Sequence, residues 1–312
     1  MSDTKNQIRL ITPKLPRIEY PLFVFLPGMD GSGQLLRSQI PKLAQGFDIR
    51  CLAIPTDDMA SWDVLVSETI ALIEAEKAAG NHRSVYLCGE SFGGCLAMKV
   101  ILEAPHLFDR LILINPASSF RQQPWMEWGS YLTQWLPANI YPLSVVGLLP
   151  VLASLGKIGR SDRQALLEAM QAVPQRTSIW RLALVRSFDV GEDQLRTIKQ
   201  PTLVIASGAD RLLPSLSEAK LLVKRIPKAE MIVLPASGHA CLLETDVDLY
   251  EIIQDSGVGM GSFRPLGGHG GTAPRSNETA LPISPPPPLP NSFSATFERL
   301  AAGQRQTPSN RE

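Results

Sequence analysis

The pentapeptide Gly89-Glu90-Ser91-Phe92-Gly93 follows a short apolar run and opens a helical pattern. In that strand-turn-helix setting, a G-x-S-x-G lifts a serine hydroxyl clear of a sheet as a nucleophile. Its glycines have a steric purpose, because Ser91 must occupy a tight, strained turn and side chains at 89 and 93 would collide with the neighbouring strand and helix. A serine hydroxyl is a poor nucleophile until a base takes its proton, so the chain must also provide a histidine and a group to orient it. Four histidines are available. His82 lies in a polar turn, His106 follows Pro105 at a helix end and His269 falls in a Pro/Gly-rich stretch, so all three read as solvent-exposed. His239, in PASGHACLLE, stands directly after the last strand pattern, and Asp210, in ASGADRLLPS, directly after TLVIA. Both positions are carboxyl ends of strands, where open α/β sheets place their active sites. There Asp210 would accept the Nδ1–H of His239, fix its tautomer and stabilise the imidazolium.

Charge developing on a tetrahedral intermediate needs preorganised donors, one from the residue after the nucleophile and one from the loop after the first strand. These are the N–H groups of Phe92 and of Met29, the latter in the loop Pro27–Gly33. That loop fits neither G-x-G-x-x-G nor G-x-x-x-x-G-K-[ST], which disfavours nucleotide binding. Lys+Arg and Asp+Glu are equal at 30 each, leaving no basic footprint for nucleic acid. Cys51, Cys88, Cys95 and Cys241 show no C-x-x-C spacing and are too sparse for a disulfide framework, so they read as buried thiols and no metal is implied. The chemistry calls for no cofactor.

The elements that must hold these residues alternate. Leu22–Leu26 is a continuous apolar run, as expected of a strand covered on both faces. A helix is expected over Arg37–Gln45, a strand over Phe47–Ile54, and a helix over Val64–Ala79 with Val66, Ile70 and Ile73 on one stripe. Strands follow at Ser84–Cys88 and Arg110–Asn115, with a helix to Glu103 between them. Alternation stops over 121–194, which reads as an inserted cap with helices near Asp162–Ala172 and Ile179–Phe188. It resumes with the strands Thr202–Ala206 and Glu230–Leu234 and with helices at Ser217–Arg225 and Leu242–Asp255. The expected organisation is an N-terminal extension over 1–20, core segments over 21–120 and 195–255 around that cap, and a disordered tail over 256–312. Residues 257–312 alone hold 8 Gly and 9 Pro. Trp128–Gly156 carries no charge and is long enough to span a bilayer, but Pro137, Pro142, Gly147 and Pro150 argue against a spanning helix. With no apolar core at the N-terminus of the length a signal peptide needs, the expected location is cytoplasmic.

The segments FLPGMDGSG, FDIRCLAIP, GESFGGCLA, LILINPASSF, ASGADRLLPS and SGHACLLE resemble the α/β-hydrolase half of the phytyl ester synthase (esterase/lipase/thioesterase) proteins of plant plastids and cyanobacteria. The likeness covers about Pro21 to Asp255, and the order Ser91, Asp210, His239 is that of α/β-hydrolases. It implies an α/β-hydrolase fold, a mostly parallel sheet flanked by helices, acting on hydrophobic lipid-like esters through an acyl-enzyme. The first antiparallel strands of that fold are expected to be reduced or missing, since only about twenty residues precede LFVFL. The plant proteins continue into an acyltransferase half where this chain has its Pro/Gly-rich tail, so a separately encoded acyltransferase is an expected partner. Transfer of the acyl group to an alcohol then stands beside hydrolysis. Trp125, Trp128, Trp135, Leu148, Leu149 and Leu152 offer apolar area for an acyl or prenyl chain, and plain cap packing is their alternative role. The uncharged cap also suggests peripheral contact with internal membranes of the thylakoid kind. A non-catalytic membrane-surface or scaffold protein is the reading from another class.

Overall fold

The computed structural model of this protein describes residues 7–79, 84–122 and 141–258. The description therefore leaves out Trp125, Trp128 and Trp135, the histidines at 82 and 269, and the Pro/Gly-rich segment.

Among the described residues seven strands form one sheet: β1 (Arg9–Ile11), β2 (Leu22–Leu26), β3 (Asp48–Ala53), β4 (Val85–Glu90), β5 (Arg110–Ile114), β6 (Thr202–Ser207) and β7 (Ala229–Leu234). Their order is β1-β3-β2-β4-β5-β6-β7, and every pairing is parallel except β1 with β3. Among the described residues the antiparallel part is one three-residue strand. β2, β3, β4 and β6 are buried along their whole length, which in β2 explains the continuous apolar run Leu22–Leu26.

From β2 the chain winds outward to β3 and then crosses back to place β4 on the other side of β2. This reversal makes a crevice at the carboxyl ends of β2 and β4, the position where open α/β sheets bind ligands. Beyond the loop after β2, the helix expected over Arg37–Gln45 forms only in part. Pro41 has no N–H and is tolerated only in a first turn, so α1 is confined to Ile40–Leu43 behind a 3₁₀ turn at Gln34–Leu36.

Helices α2 (Trp62–Ala79) and α3 (Phe92–Glu103) cover one face of the sheet. Trp62 stacks on Phe92 with centroids 4.8 Å apart and donates its indole N–H to the Leu184 carbonyl at 2.8 Å. On the other face Phe47 meets Phe23, Tyr86 and Tyr250.

Within the inserted region lie α4 (Tyr141–Leu152), α5 (Arg160–Ala172), α6 (Gln175–Arg186) and α7 (Glu192–Thr197). α4 is a helix despite its prolines: Pro142 stands in its first turn, where the missing N–H has no intrahelical partner to lose. Leu184, Val185 and Phe188 join the main core with Trp62 and Phe92, so the α6 part of the insertion is built into the body. The last two helices are α8 (Ser215–Arg225) and α9 (Leu249–Asp255). The helix expected over Leu242–Asp255 is divided, because the Asp248 side chain accepts the Glu251 N–H at 3.1 Å and starts α9 afresh after a 3₁₀ turn at Cys241–Leu243. Among the described residues, no helix is long and apolar enough to cross a membrane.

Candidate active site

β4 runs two residues further than its sequence pattern suggests, because Gly89 and Glu90 pair with Leu113 and Ile114 of β5. The chain then turns at Ser91 with φ 54° and ψ −114°, a backbone conformation that costs a non-glycine residue on the order of 1–3 kcal/mol. The flanking glycines are sterically required. A Cβ at Gly89 would overlap the Gly93 carbonyl, and one at Gly93 would overlap the carbonyl oxygen of Leu26.

Ser91 Oγ lies 3.0 Å from His239 Nε2, and His239 Nδ1 lies 2.8 Å from Asp210 Oδ2. His239 is buried, on the loop after β7, and Asp210 is on the loop after β6. The second carboxylate oxygen of Asp210 accepts the N–H groups of Leu212 and Leu213 at 2.8 and 3.0 Å, and Ser215 Oγ donates to Oδ2 at 2.5 Å. Burial by itself would raise this carboxyl; the charge and hydrogen bond of His239, with the Ser215 and Leu213 donors, outweigh it and hold Asp210 below its ordinary value. A serine, an imidazole and an anionic carboxylate therefore stand in one hydrogen-bonded line.

The loop after β2 closes over the serine. Gly28 carries no side chain where a Cβ would sit 3.8 Å from that of Ser91, so the backbone of this loop reaches the nucleophile. The Phe92 N–H opens α3, where the helix dipole favours negative charge. Neither the Met29 nor the Phe92 N–H donates to another group among the described residues.

With this geometry in place, the comparison with known families is decisive: residues 56–246 match Hydrolase_4, described as serine aminopeptidase, S33. The chain belongs to the Hydrolase_4 family. Among curated relatives of this Hydrolase_4 protein, the chloroplastic phytyl ester synthase 1 of Arabidopsis thaliana is 32% identical over 272 residues, covering 80% of this chain and 38% of the plant protein. The chain thus spans less than two-fifths of that relative. Among solved structures, MenH from S. aureus superposes with a TM-score of 0.64 at 16% identity, covering 79% of this chain and 96% of that one. An esterase from Exiguobacterium antarcticum gives 0.60 at 18%, covering 74% and 87%. Family and fold agree: the protein is a serine hydrolase of the α/β-hydrolase fold, similar to phytyl ester synthase.

Other residues of this Hydrolase_4 chain hold the site together. Asn115, buried at the end of β5 with φ 42°, donates through Nδ2 to the His239 carbonyl and to Ser207 Oγ, both at 2.9 Å, while its Oδ1 accepts the Ser207 N–H at 2.8 Å. It fastens the histidine loop to β5 and β6. Glu244, wholly buried, accepts the Gly238 N–H at 2.8 Å from below the same loop. The C-terminal end of α4 adds a third tie, with the Leu152 carbonyl accepting the Ala240 N–H at 2.8 Å. On the opposite side Arg181 of α6, 2% exposed, donates to the carbonyls of Met29 at 2.6 Å and Pro55 at 2.7 Å. The insertion therefore grips both the histidine loop and the loop of Met29.

Leu148 is 44% exposed, whereas Leu149 packs on a small cluster containing Ala153, Ile158, Leu166, Ala240 and Leu243. A hollow of about 320 Å³ beside the loops of Asp210 and His239 is lined by Pro150, Val151, Leu155, Ala209, Arg211 and Gly238, and by none of Leu148, Leu149 and Leu152. A groove of about 600 Å³ between α2, α3 and α7, next to His106, contains none of the site residues. His106 is exposed, and all four cysteines are free and buried. No cluster that could hold a metal ion occurs among the described residues.

Proposed function

We propose that Ser91, His239 and Asp210 form the catalytic triad of a carboxylic ester hydrolase. The observation that carries this is the unbroken line from Ser91 Oγ to His239 Nε2 at 3.0 Å and from His239 Nδ1 to Asp210 at 2.8 Å, at a strained elbow. His239 removes the Ser91 proton as Oγ attacks the ester carbonyl, and the N–H groups of Met29 and Phe92 hold the oxyanion. The protonated imidazole then delivers its proton to the departing alcohol. Water, deprotonated by the same nitrogen, resolves the acyl-enzyme.

The preferred substrate is a lipid-like ester with a long acyl or prenyl chain. Supporting this are the likeness to a phytyl ester synthase and the apolar Pro150, Val151 and Leu155 beside the site. The exposed Val146 and Leu148 on α4 provide a foothold for peripheral membrane contact. The same likeness favours a second reading, in which an alcohol replaces water as acceptor and a separate acyltransferase works alongside.

Labelling with a fluorophosphonate tests the triad, since the probe needs an activated serine. Wild type should label and Ser91→Ala and His239→Ala should not; a folded wild type that stays unlabelled in detergent and with vesicles overturns the reading. A chain-length series of p-nitrophenyl esters then tests the substrate class, and product analysis with phytol present separates hydrolysis from transfer.

A further inference from the structure

Two carboxyl groups flank the site, and the triad uses neither. Glu90, immediately before the nucleophile, is 1% exposed, and neither of its carboxyl oxygens has a hydrogen-bond partner among the described residues. Asp30, immediately after Met29, turns one oxygen to the N–H of Ser32 at 2.9 Å and to the Ser32 hydroxyl, while its other oxygen is buried and unpartnered. That free oxygen lies against Gly28, 3.6 Å from where a Cβ would stand, on the residue that approaches Ser91. The Glu90 carbonyl lies 4.0 Å from the same point, so three buried carboxyl oxygens without partners among the described residues belong to two residues whose chains meet at Gly28. Two carboxylates cannot both be ionised there, because each would carry an unsolvated charge beside the other.

We propose that Glu90 is protonated while Asp30 is ionised, that Arg181 balances the single charge left, and that this neutral floor is what allows the Met29 and Phe92 N–H groups to accept an oxyanion. The inference deepens the triad reading and rests on it for its catalytic half. Glu90 carries the proton: burial, then the charge of Asp30, pushes its carboxyl up to about 8. Asp30 is the anion of the pair, since burial raises it too but the Ser32 hydroxyl and N–H and the Arg181 cation all favour its charge. Arg181 answers with its charge as well as its hydrogen bonds, being lowered by burial and raised by Asp30, Asp58 and Asp57.

The other groups facing Glu90 are the thiols of Cys88 on β4 and Cys241 after the histidine loop, with Cys51 of β3 next to Cys88. Burial pushes Cys51 up to about 12 and Cys88 and Cys241 well upward, so none of them titrates between pH 7 and 9. Loss of the Glu90 proton in that range would put a second negative charge beneath the place where the oxyanion must form. Glu90 touches neither substrate nor reacting atoms and is a positioning residue that acts through charge.

Two readouts test this on the whole chain. The first is thermal stability against pH, compared between the wild type and Glu90→Gln, and it does not depend on catalysis. A carboxyl raised on folding binds its proton more tightly in the folded state, so wild type should lose stability relative to Glu90→Gln as pH rises from about 4.5 to about 8, then level off. Parallel curves across that range overturn the protonated Glu90. The second readout is the rate of fluorophosphonate labelling from pH 7 to 9. Wild type should fall about tenfold while Glu90→Gln stays flat. Divergent stability with identical labelling profiles overturns the catalytic half. Wild type that never labels, with divergent stability curves, supports the protonated Glu90 and removes the triad reading instead.

Discussion

Replacing Asp210 by asparagine isolates what the acid contributes, because the structure dictates how the amide must sit. The oxygen Oδ1 accepts two backbone N–H groups, from Leu212 and Leu213. Turning the amide nitrogen toward them would orphan both donors, at about 1–3 kcal/mol each, so the amide oxygen stays there and the NH₂ takes the place of Oδ2. That NH₂ then points at His239 Nδ1, which wild type holds 2.8 Å from an anion. To accept it, the imidazole must carry its proton on Nε2, aimed at Ser91 Oγ, and the base is turned into a donor. The same inversion of tautomer in a serine-protease triad lowers kcat about ten-thousand-fold, which is about 5 kcal/mol of transition-state stabilisation. Asp210→Asn should therefore hydrolyse a p-nitrophenyl ester about ten-thousand-fold more slowly at saturation, with KM little changed and the fold retained. A folded Asp210→Asn protein that keeps more than a tenth of wild-type kcat would refute the reasoning.

The pH dependence of stability carries the opposite sign at Asp210 from that at Glu90. Its carboxyl is lowered on folding, so its contribution is present above the unfolded value of about 3.8 and lost as pH falls below it; the stability gap between wild type and Asp210→Asn should close in acid, read by thermal melts. Gly93→Ala should cost about 3 kcal/mol or fail to give soluble protein, since the new Cβ meets backbone rather than a movable side chain; a urea midpoint near that of wild type would contradict this. Asn115→Ala leaves the buried Ser207 N–H and His239 carbonyl without partners and should cost about 2–4 kcal/mol together with most of the labelling, while Asn115→Asp should retain the Ser207 bond and lose less stability. Leu148→Asp on exposed α4 should reduce co-flotation with vesicles without slowing hydrolysis of a short ester; unchanged flotation would remove α4 as the membrane contact.

The sequence revealed the elements whose signals are local. Leu22–Leu26 announces a buried parallel strand by composition alone, and Ser91, Asp210 and His239 stand out because each follows a readable strand at the same sheet edge. Residues that act across distance gave no such signal. Asn115 looks like the end of a strand until its partners, 92 and 124 residues away, are brought beside it. Arg181 sits in a helix that reads as cap surface, and only the docking of α6 turns it inward onto the Met29 carbonyl. Glu90 occupies a position in the G-x-S-x-G pattern that any residue can fill, so the pattern carries no information about its burial. At element ends, single residues overruled periodicity: Pro41 delayed α1 and Asp248 restarted α9.

The line from serine to imidazole joins residues 148 apart in sequence, and it crosses the whole insertion. During synthesis the elbow emerges long before its base, and β5 must wait for β6 and the loop of His239 before Asn115 has anything to fasten. Until then Ser91 stands without the imidazole that would take its proton. A copy that lacks β6, β7 and their loops therefore lacks the line from Ser91 to Asp210 altogether.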